Sequence, residues 1–147
     1  MKIFVSGCSA GIGYALTELL LSDGHEVWGI CRNIDPLAKL KSIFPDTFHC
    51  SACDTQSEIE VARVFQEFQR QHFVPDLSIL NAGIYEVDID PQISLKNIRS
   101  TFDTNFFGSI YWVDILLPLY IKRGAGQFIA ISSLVSFPLD PFSSSYP

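Results

Sequence analysis

The sequence predicts an α/β protein, a doubly wound parallel sheet with helices on both faces. Short apolar runs of strand length recur along the chain, and between them lie segments whose apolar residues repeat at the helical period. This alternation implies crossover connections, and therefore parallel strands buried on both faces. A glycine cluster (Gly7, Gly11, Gly13) stands where the first strand-like run meets the first helical pattern.

Residues 2 to 6, Lys-Ile-Phe-Val-Ser, read as the first strand. Ile12, Ala15, Leu16, Leu19 and Leu20 then share one helical face, expected to pack on the sheet, with Gly24 placed to terminate the helix. Residues 26 to 31 read as the second strand, and Pro36 starts a shorter helix bearing Leu37, Leu40 and Ile43. A third strand fits residues 47 to 53. Ser57 and Glu60 form a capping box ahead of Val61, Val64, Phe65 and Phe68. Residues 77 to 80 are the fourth strand. A long helix is expected over 95 to 122, with Ile98, Phe102, Phe106, Val113 and Leu117 on one side, closed by Gly124 and Gly126 before a fifth strand near 127 to 131.

The 147 residues suit one domain spanning 1–147, and 48% hydrophobic against 18% charged residues is enough apolar material for a core. A net charge of -6 without a basic stripe argues against nucleic acid as a partner. The four cysteines, Cys8, Cys31, Cys50 and Cys53, lack the density of a secreted disulfide scaffold, so reduced thiols in a cytoplasmic protein are expected. The apolar stretch 3 to 21 is broken by three glycines and contains Glu18, which argues against a membrane span.

Three chemistries compete for the sequence's small-residue motifs. Gly7, Gly11 and Gly13 between strand and helix let a pyrophosphate approach the free N–H groups and positive dipole end of the helix. The spacing is G-x-x-x-G-x-G, and a tight structural turn is the bland alternative. Gly7-Cys8-Ser9-Ala10-Gly11 also fits the G-x-S-x-G elbow of a serine hydrolase using Ser9, but no earlier strand supplies an oxyanion donor, and none of His25, His49 and His72 sits in a supporting motif. Cys50-Ser51-Ala52-Cys53 has redox or zinc spacing, yet no second ligand pair completes a zinc site, and buried free thiols are the simpler reading.

In order along the chain, these fragments resemble the classical short-chain dehydrogenases/reductases. Ser6-Gly7-Cys8-Ser9-Ala10-Gly11-Ile12-Gly13 is similar to that family's cofactor loop, with Ser at position 6 in place of the usual Thr. Cys53-Asp54 resembles its adenine-contacting acidic position, Asn81-Ala82-Gly83 its N-A-G after the fourth strand, and Thr104-Asn105-Phe106 the helix segment whose Asn organises a water in the proton relay. Ser132-Ser133 closes the fifth strand as in the family, and Tyr146 follows Ser133 by 13 residues, the family's spacing between catalytic Ser and Tyr.

The resemblance implies a Rossmann-like sheet and an oxidoreductase that interconverts a carbonyl and an alcohol. Tyr146 is its implied general acid or base, Ser133 holds the substrate oxygen and Asn105 supports the relay. Gly7, Ser9, Gly11, Ile12, Gly13, Arg32, Asp54, Asn81, Ala82 and Gly83 are the implied cofactor contacts. No acidic residue ends the second strand, where Cys31 is followed by Arg32, so NADP is expected over NAD. Val135, Phe137, Leu139 and Phe142 hint at a hydrophobic small-molecule substrate, and the family often forms homo-oligomers through the helix containing Asn105. The family's Lys, four positions beyond Tyr146, falls outside the 147 residues. The chain is therefore expected to be a truncated domain, incomplete at the C-terminal end and inactive alone, with a non-catalytic nucleotide-binding fragment or a pseudoenzyme lacking the active-site Lys as the alternative.

Overall fold

The computed structural model describes residues 1–86 and 94–133. Tyr146 and the apolar residues Val135, Phe137, Leu139 and Phe142 lie outside the described residues. Five strands, β1 (Lys2–Ser6), β2 (Glu26–Cys31), β3 (Phe48–Ala52), β4 (Leu77–Leu80) and β5 (Gln127–Ala130), form one sheet in the order β3-β2-β1-β4-β5. Every neighbouring pair is parallel. The chain winds outward from β1 through β2 and β3, then crosses to β4 and β5 on the other side. This reversal creates a crevice at the C-terminal ends of β1 and β4.

Strand alternation divides the core into two layers. Phe4, Trp28, Ile30 and Leu80 face α3 (Glu58–Arg70) and α5 (Gly108–Arg123), where Val61, Val64, Phe68, Trp112 and Leu116 complete one cluster. Ile3, Val5, Val27, Cys31 and Ile79 face α1 (Gly11–Ser22) and α2 (Ala38–Ile43), packing with Leu21, Leu37 and Leu40. In the first layer Phe4, Trp28, Phe68, Phe73 and Trp112 stack with ring centroids between 4.3 and 5.8 Å apart. Each buried aromatic contributes roughly 1.5–3 kcal/mol of transfer free energy, so this cluster anchors α3 and α5 to the sheet.

The helix faces correct the sequence expectation. In α1 the buried residues are Gly13, Thr17 and Leu21, while Ile12 and Leu19 are exposed. The helix lies so close to the β1 end that a side chain at position 13 would strike the Gly7 carbonyl, and only small residues fit there. Further along, Leu37 and Leu40 are buried but Ile43 is exposed. Ser57 caps α3 by accepting from the Glu60 N–H at 3.3 Å, but the Glu60 carboxylate reaches the Asp54 N–H (2.9 Å) instead of completing the reciprocal box.

The expected long helix is α4 (Leu95–Thr101), a π-helical stretch Phe102–Phe107, and α5 in continuous succession. Its buried line is Thr101, Thr104, Gly108, Trp112, Leu116 and Tyr120, whereas Phe102, Phe106 and Leu117 of the expected stripe are exposed. The π stretch winds with more than 3.6 residues per turn, which rotates the faces on either side of it relative to each other. Gly124 ends α5 in the left-handed conformation, φ 71°, and Gly126 passes so close to the Tyr120 ring that no side chain could be placed there. The Tyr120 hydroxyl lies 2.6 Å from Ser78 Oγ, tying α5 to β4. Among the described residues no helix is long and apolar enough to cross a membrane.

Candidate functional site

The loop after β1 is fixed from below. Gly7 has φ +72°, and a Cβ on it would lie 2.7 Å from Ala82 Cα, so the β1 and β4 ends meet backbone to backbone. Ser6 Oγ accepts from both the Asn81 and Ala82 N–H groups at 3.0 Å, and Asn81 Nδ2 donates to the carbonyls of Ser6 and Gly7 at 3.2 and 3.0 Å. Asn81 thus braces the glycine loop with its side chain. At the start of α1, the N-cap Ala10 offers no side-chain cap and the first turn contains no acidic residue. The free N–H groups and positive end of the helix dipole are therefore left to whatever enters the crevice.

A groove of about 350 Å³ runs over this loop, lined by Gly7, Ser9, Ile12, Gly13, Arg32, Asp54, Asn81, Ala82 and Gly83. Nine of the ten sequence-predicted cofactor residues share it; Gly11, with φ +55° and open space where its Cβ would be, does not line it. Cys31 also lines the groove, and Arg32 is exposed at the end of β2. Asp54 Oδ1 accepts from the Gln56 N–H at 3.0 Å, which holds the carboxylate at the groove wall.

The groove continues past Ile12, Asn81, Ala82 and Gly83 into a second cavity of about 600 Å³, lined also by Tyr85, Phe102, Asn105, Phe106, Ser132 and Ser133. Asn105 lies in the π stretch, where its side chain pairs with the main chain of Ile84. Ser133 stands just beyond β5, so the β1, β4 and β5 ends all contribute to one rim. Tyr146, the remaining predicted catalytic residue, is outside the described residues.

Sequence reasoning missed the ties that set this rim. Thr55 Oγ1 donates to the Gly108 carbonyl at 3.1 Å and Gln56 Nε2 donates to Thr104 Oγ1 at 2.6 Å, lacing the loop after β3 to the helix that carries Asn105. A Cβ at Gly108 would lie 2.6 Å from Thr55 Cγ2, so that glycine permits the close approach. These partners are 48 and 53 residues apart, and no local pattern announces them.

The competing chemistries find no partners here. His25 Nδ1 lies 3.5 Å from the chain's N-terminal amine, His49 Nε2 lies 3.1 Å from Glu26, and the His72 carbonyl accepts from Lys2 Nζ. No described histidine lines the groove beside Ser9. Cys50 and Cys53 belong to opposite core layers, and burial pushes the Cys53 thiol up to about 12.

A sequence profile of the family described as short chain dehydrogenase matches residues 1–147. An NADPH-dependent 3-dehydrocapnine reductase of Ornithobacterium rhinotracheale is 30% identical over 151 residues, covering 96% of this chain and 53% of the relative. Farnesol dehydrogenase of Aedes aegypti is 28% identical, covering 97% of this chain and 62% of the relative. Among solved structures, a short-chain dehydrogenase from Streptomyces avermitilis superposes with a TM-score of 0.91 at 25% identity, covering 99% of this chain and 54% of that one. The chain spans between half and two thirds of the length of these relatives.

Proposed function

We propose a hydride-transfer function for this chain, which belongs to the short-chain dehydrogenase family. It is read as the cofactor-binding part of an NADP(H)-dependent oxidoreductase that interconverts a small-molecule carbonyl and an alcohol. The observation that carries the reading is the continuity of the two cavities, from the uncapped start of α1 to Asn105 and Ser133. A dinucleotide fits that path. The free N–H groups of α1 suit its pyrophosphate, Asp54 suits its adenine, and Arg32 suits a 2′-phosphate. When bound, its nicotinamide supplies or accepts the hydride.

The remaining chemistry belongs to the chain. Ser133 donates a hydrogen bond to the substrate oxygen, which fixes that oxygen toward the proton source. Tyr146 gives its phenolic proton to this oxygen during reduction and takes it back during oxidation. Asn105 positions the helix and the adjoining loop through Ile84, and through them the proton relay. Phe102, Phe106 and Ile12 make the wall of the second cavity apolar, which suits a hydrophobic carbonyl or alcohol compound. The exposed apolar residues Ile110, Leu117 and Ile121 on α5 offer a face on which a second copy could pack.

Tyr146→Phe in the complete enzyme tests the reading, since it removes the proton donor and little else. NADPH binding should persist while carbonyl reduction falls by orders of magnitude, and Ser133→Ala should act in the same direction but less severely. Undiminished turnover in Tyr146→Phe would remove the mechanism.

A further inference from the structure

Gly29 on β2 is where the second core layer opens for sulfur. A Cβ at this position would lie 2.5 Å from Cys8 Sγ, so the missing side chain is the space in which the Cys8 thiol sits. Cys8 follows β1 and is held over β2 by its own N–H, which donates to the Ile30 carbonyl at 3.2 Å, and by its thiol, 3.4 Å from the same oxygen. Gly29 and Cys31 alternate onto the same face of β2. The Cys8 sulfur is therefore brought beside Cys31, whose own thiol donates to the Asn33 carbonyl at 3.1 Å.

The two sulfurs differ in access and in character. Cys8 is fully buried, whereas Cys31 is 6% exposed and lines the groove beside Ser9 and Arg32. The neighbouring Cys8 side chain holds the Cys31 thiol below its ordinary range against the opposing effect of burial, and Ser9 acts in the same direction. That same pairing, together with burial, pushes the Cys8 thiol up. A groove-lining thiol held below its ordinary range, with a buried sulfur that keeps its proton behind it, is the arrangement in which the first sulfur reacts and the second resolves it.

We propose that Cys31 and Cys8 form an oxidant-sensitive pair in the floor of the groove, with Cys31 attacked by hydrogen peroxide and Cys8 closing a disulfide. In the first step the Cys31 thiolate attacks one peroxide oxygen. The O–O bond breaks, the sulfur is oxidised to a sulfenic acid, and the departing hydroxide takes a proton to become water. In the second, the Cys8 sulfur attacks the Cys31 sulfur. The S–S bond forms, the S–O bond breaks, and the thiol proton leaves with the hydroxyl as a second water. One peroxide is reduced to two waters and two thiols are oxidised.

The thiol chemistry stands on the placement and acidity of the two cysteines; only its control by the cofactor rests on the proposed function. The test is peroxide treatment of the full chain, alkylation of remaining thiols, and peptide mass spectrometry. A Cys8–Cys31 linked peptide lighter by two hydrogens is expected, with Cys50 and Cys53 alkylated. Cys8→Ser should instead accumulate a sulfenic acid at Cys31 that dimedone traps. Peroxide that leaves Cys31 alkylated, or links it to Cys50 or Cys53 instead, overturns the pairing, and the unaltered chain gives this answer whether or not the variant folds. NADPH at a hundred times its dissociation constant leaves about 1% of the chain free and should slow the linkage about 100-fold. Linkage at an undiminished rate under NADPH would overturn the placement of the cofactor over Cys31, whereas absence of any linkage without NADPH would overturn the thiol pair.

Discussion

The Asn105 side chain forms a two-point bridge to the main chain of Ile84. Its Oδ1 accepts the Ile84 N–H at 2.8 Å and its Nδ2 donates to the Ile84 carbonyl at 3.0 Å. The side chain thus does the work of a β-strand partner for a loop residue that leaves the sheet after β4. Asn105→Leu keeps the approximate volume but strands one donor and one acceptor, which should lower stability by about 1–3 kcal/mol for each group that water cannot reach. Asn105→Asp keeps the acceptor but sets a carboxylate oxygen against the Ile84 carbonyl, and should be no better tolerated. Urea unfolding of both variants measures this, and stability equal to the parent would show that the bridge is dispensable.

Gly7 and Gly11 look alike in the sequence but occupy different surroundings, and this separates their substitutions. At Gly7, alanine must adopt φ +72° and bring its Cβ to 2.7 Å from Ala82 Cα, where backbone would have to move. Strain and overpacking together predict a loss of roughly 3 kcal/mol or more, a fall in Tm of about 6–12 °C for a chain of this size. At Gly11, alanine meets nothing within 4 Å and pays only for φ +55°, about 1–2 kcal/mol. Thermal melts of the two variants should therefore differ in that order, and equal losses would mean that the loop does not pack on β4 as described.

Much of this architecture is legible in the sequence because strands and their ends depend on short-range pattern. β1, β2 and β4 run where the apolar runs place them, and the glycine loop and Asn81 fall at strand ends. Helix faces were harder to read. Ile12 and Leu19 satisfy the helical period, but the contact with β1 admits only small residues, so Gly13 and Thr17 face inward and the larger apolar side chains turn out. The π stretch at Phe102–Phe107 shifts the register of the long helix without a proline or glycine inside it to announce the change. Thr55, Gln56 and Thr104 bear on the site through hydrogen bonds across the fold, a relation that residue type and spacing do not encode.

Burial of Cys53 links stability to alkaline pH. Desolvation pushes its thiol from an ordinary value near 9 up to about 12, with the nearby Glu60 carboxylate acting in the same direction. The folded chain therefore retains this proton after the unfolded chain has released it. Stability is full below pH 9 and falls as pH rises from there toward 12, by a limit of about 4 kcal/mol from this group. Buried Tyr120, whose phenol burial also pushes up, adds to the loss above pH 10. Comparing urea midpoints at pH 8 and pH 11 for the parent and Cys53→Ala isolates the thiol. The difference between the two pH values should shrink in the variant, and an unchanged difference would show that Cys53 ionises as freely in the fold as outside it.

The proposed preference for NADP rests on the end of β2, where Cys31 closes the strand and Arg32 stands exposed on the groove wall. A carboxylate at this position would accept hydrogen bonds from a ribose 2′-hydroxyl and repel a 2′-phosphate; Cys31 does neither. The guanidinium of Arg32 can instead meet the phosphate with charge-assisted hydrogen bonds worth roughly 1.5–3 kcal/mol, about 10-fold to 150-fold in affinity. Because Arg32 is solvent-exposed, the preference should weaken as salt rises. Arg32→Ala should raise the dissociation constant for NADPH by that factor and leave NADH binding nearly unchanged, since the unphosphorylated ribose makes no use of the charge. Calorimetric titration of the complete enzyme with both cofactors decides the matter. Equal affinities in the parent, or an NADPH preference that survives Arg32→Ala, would mean that another residue reads the ribose.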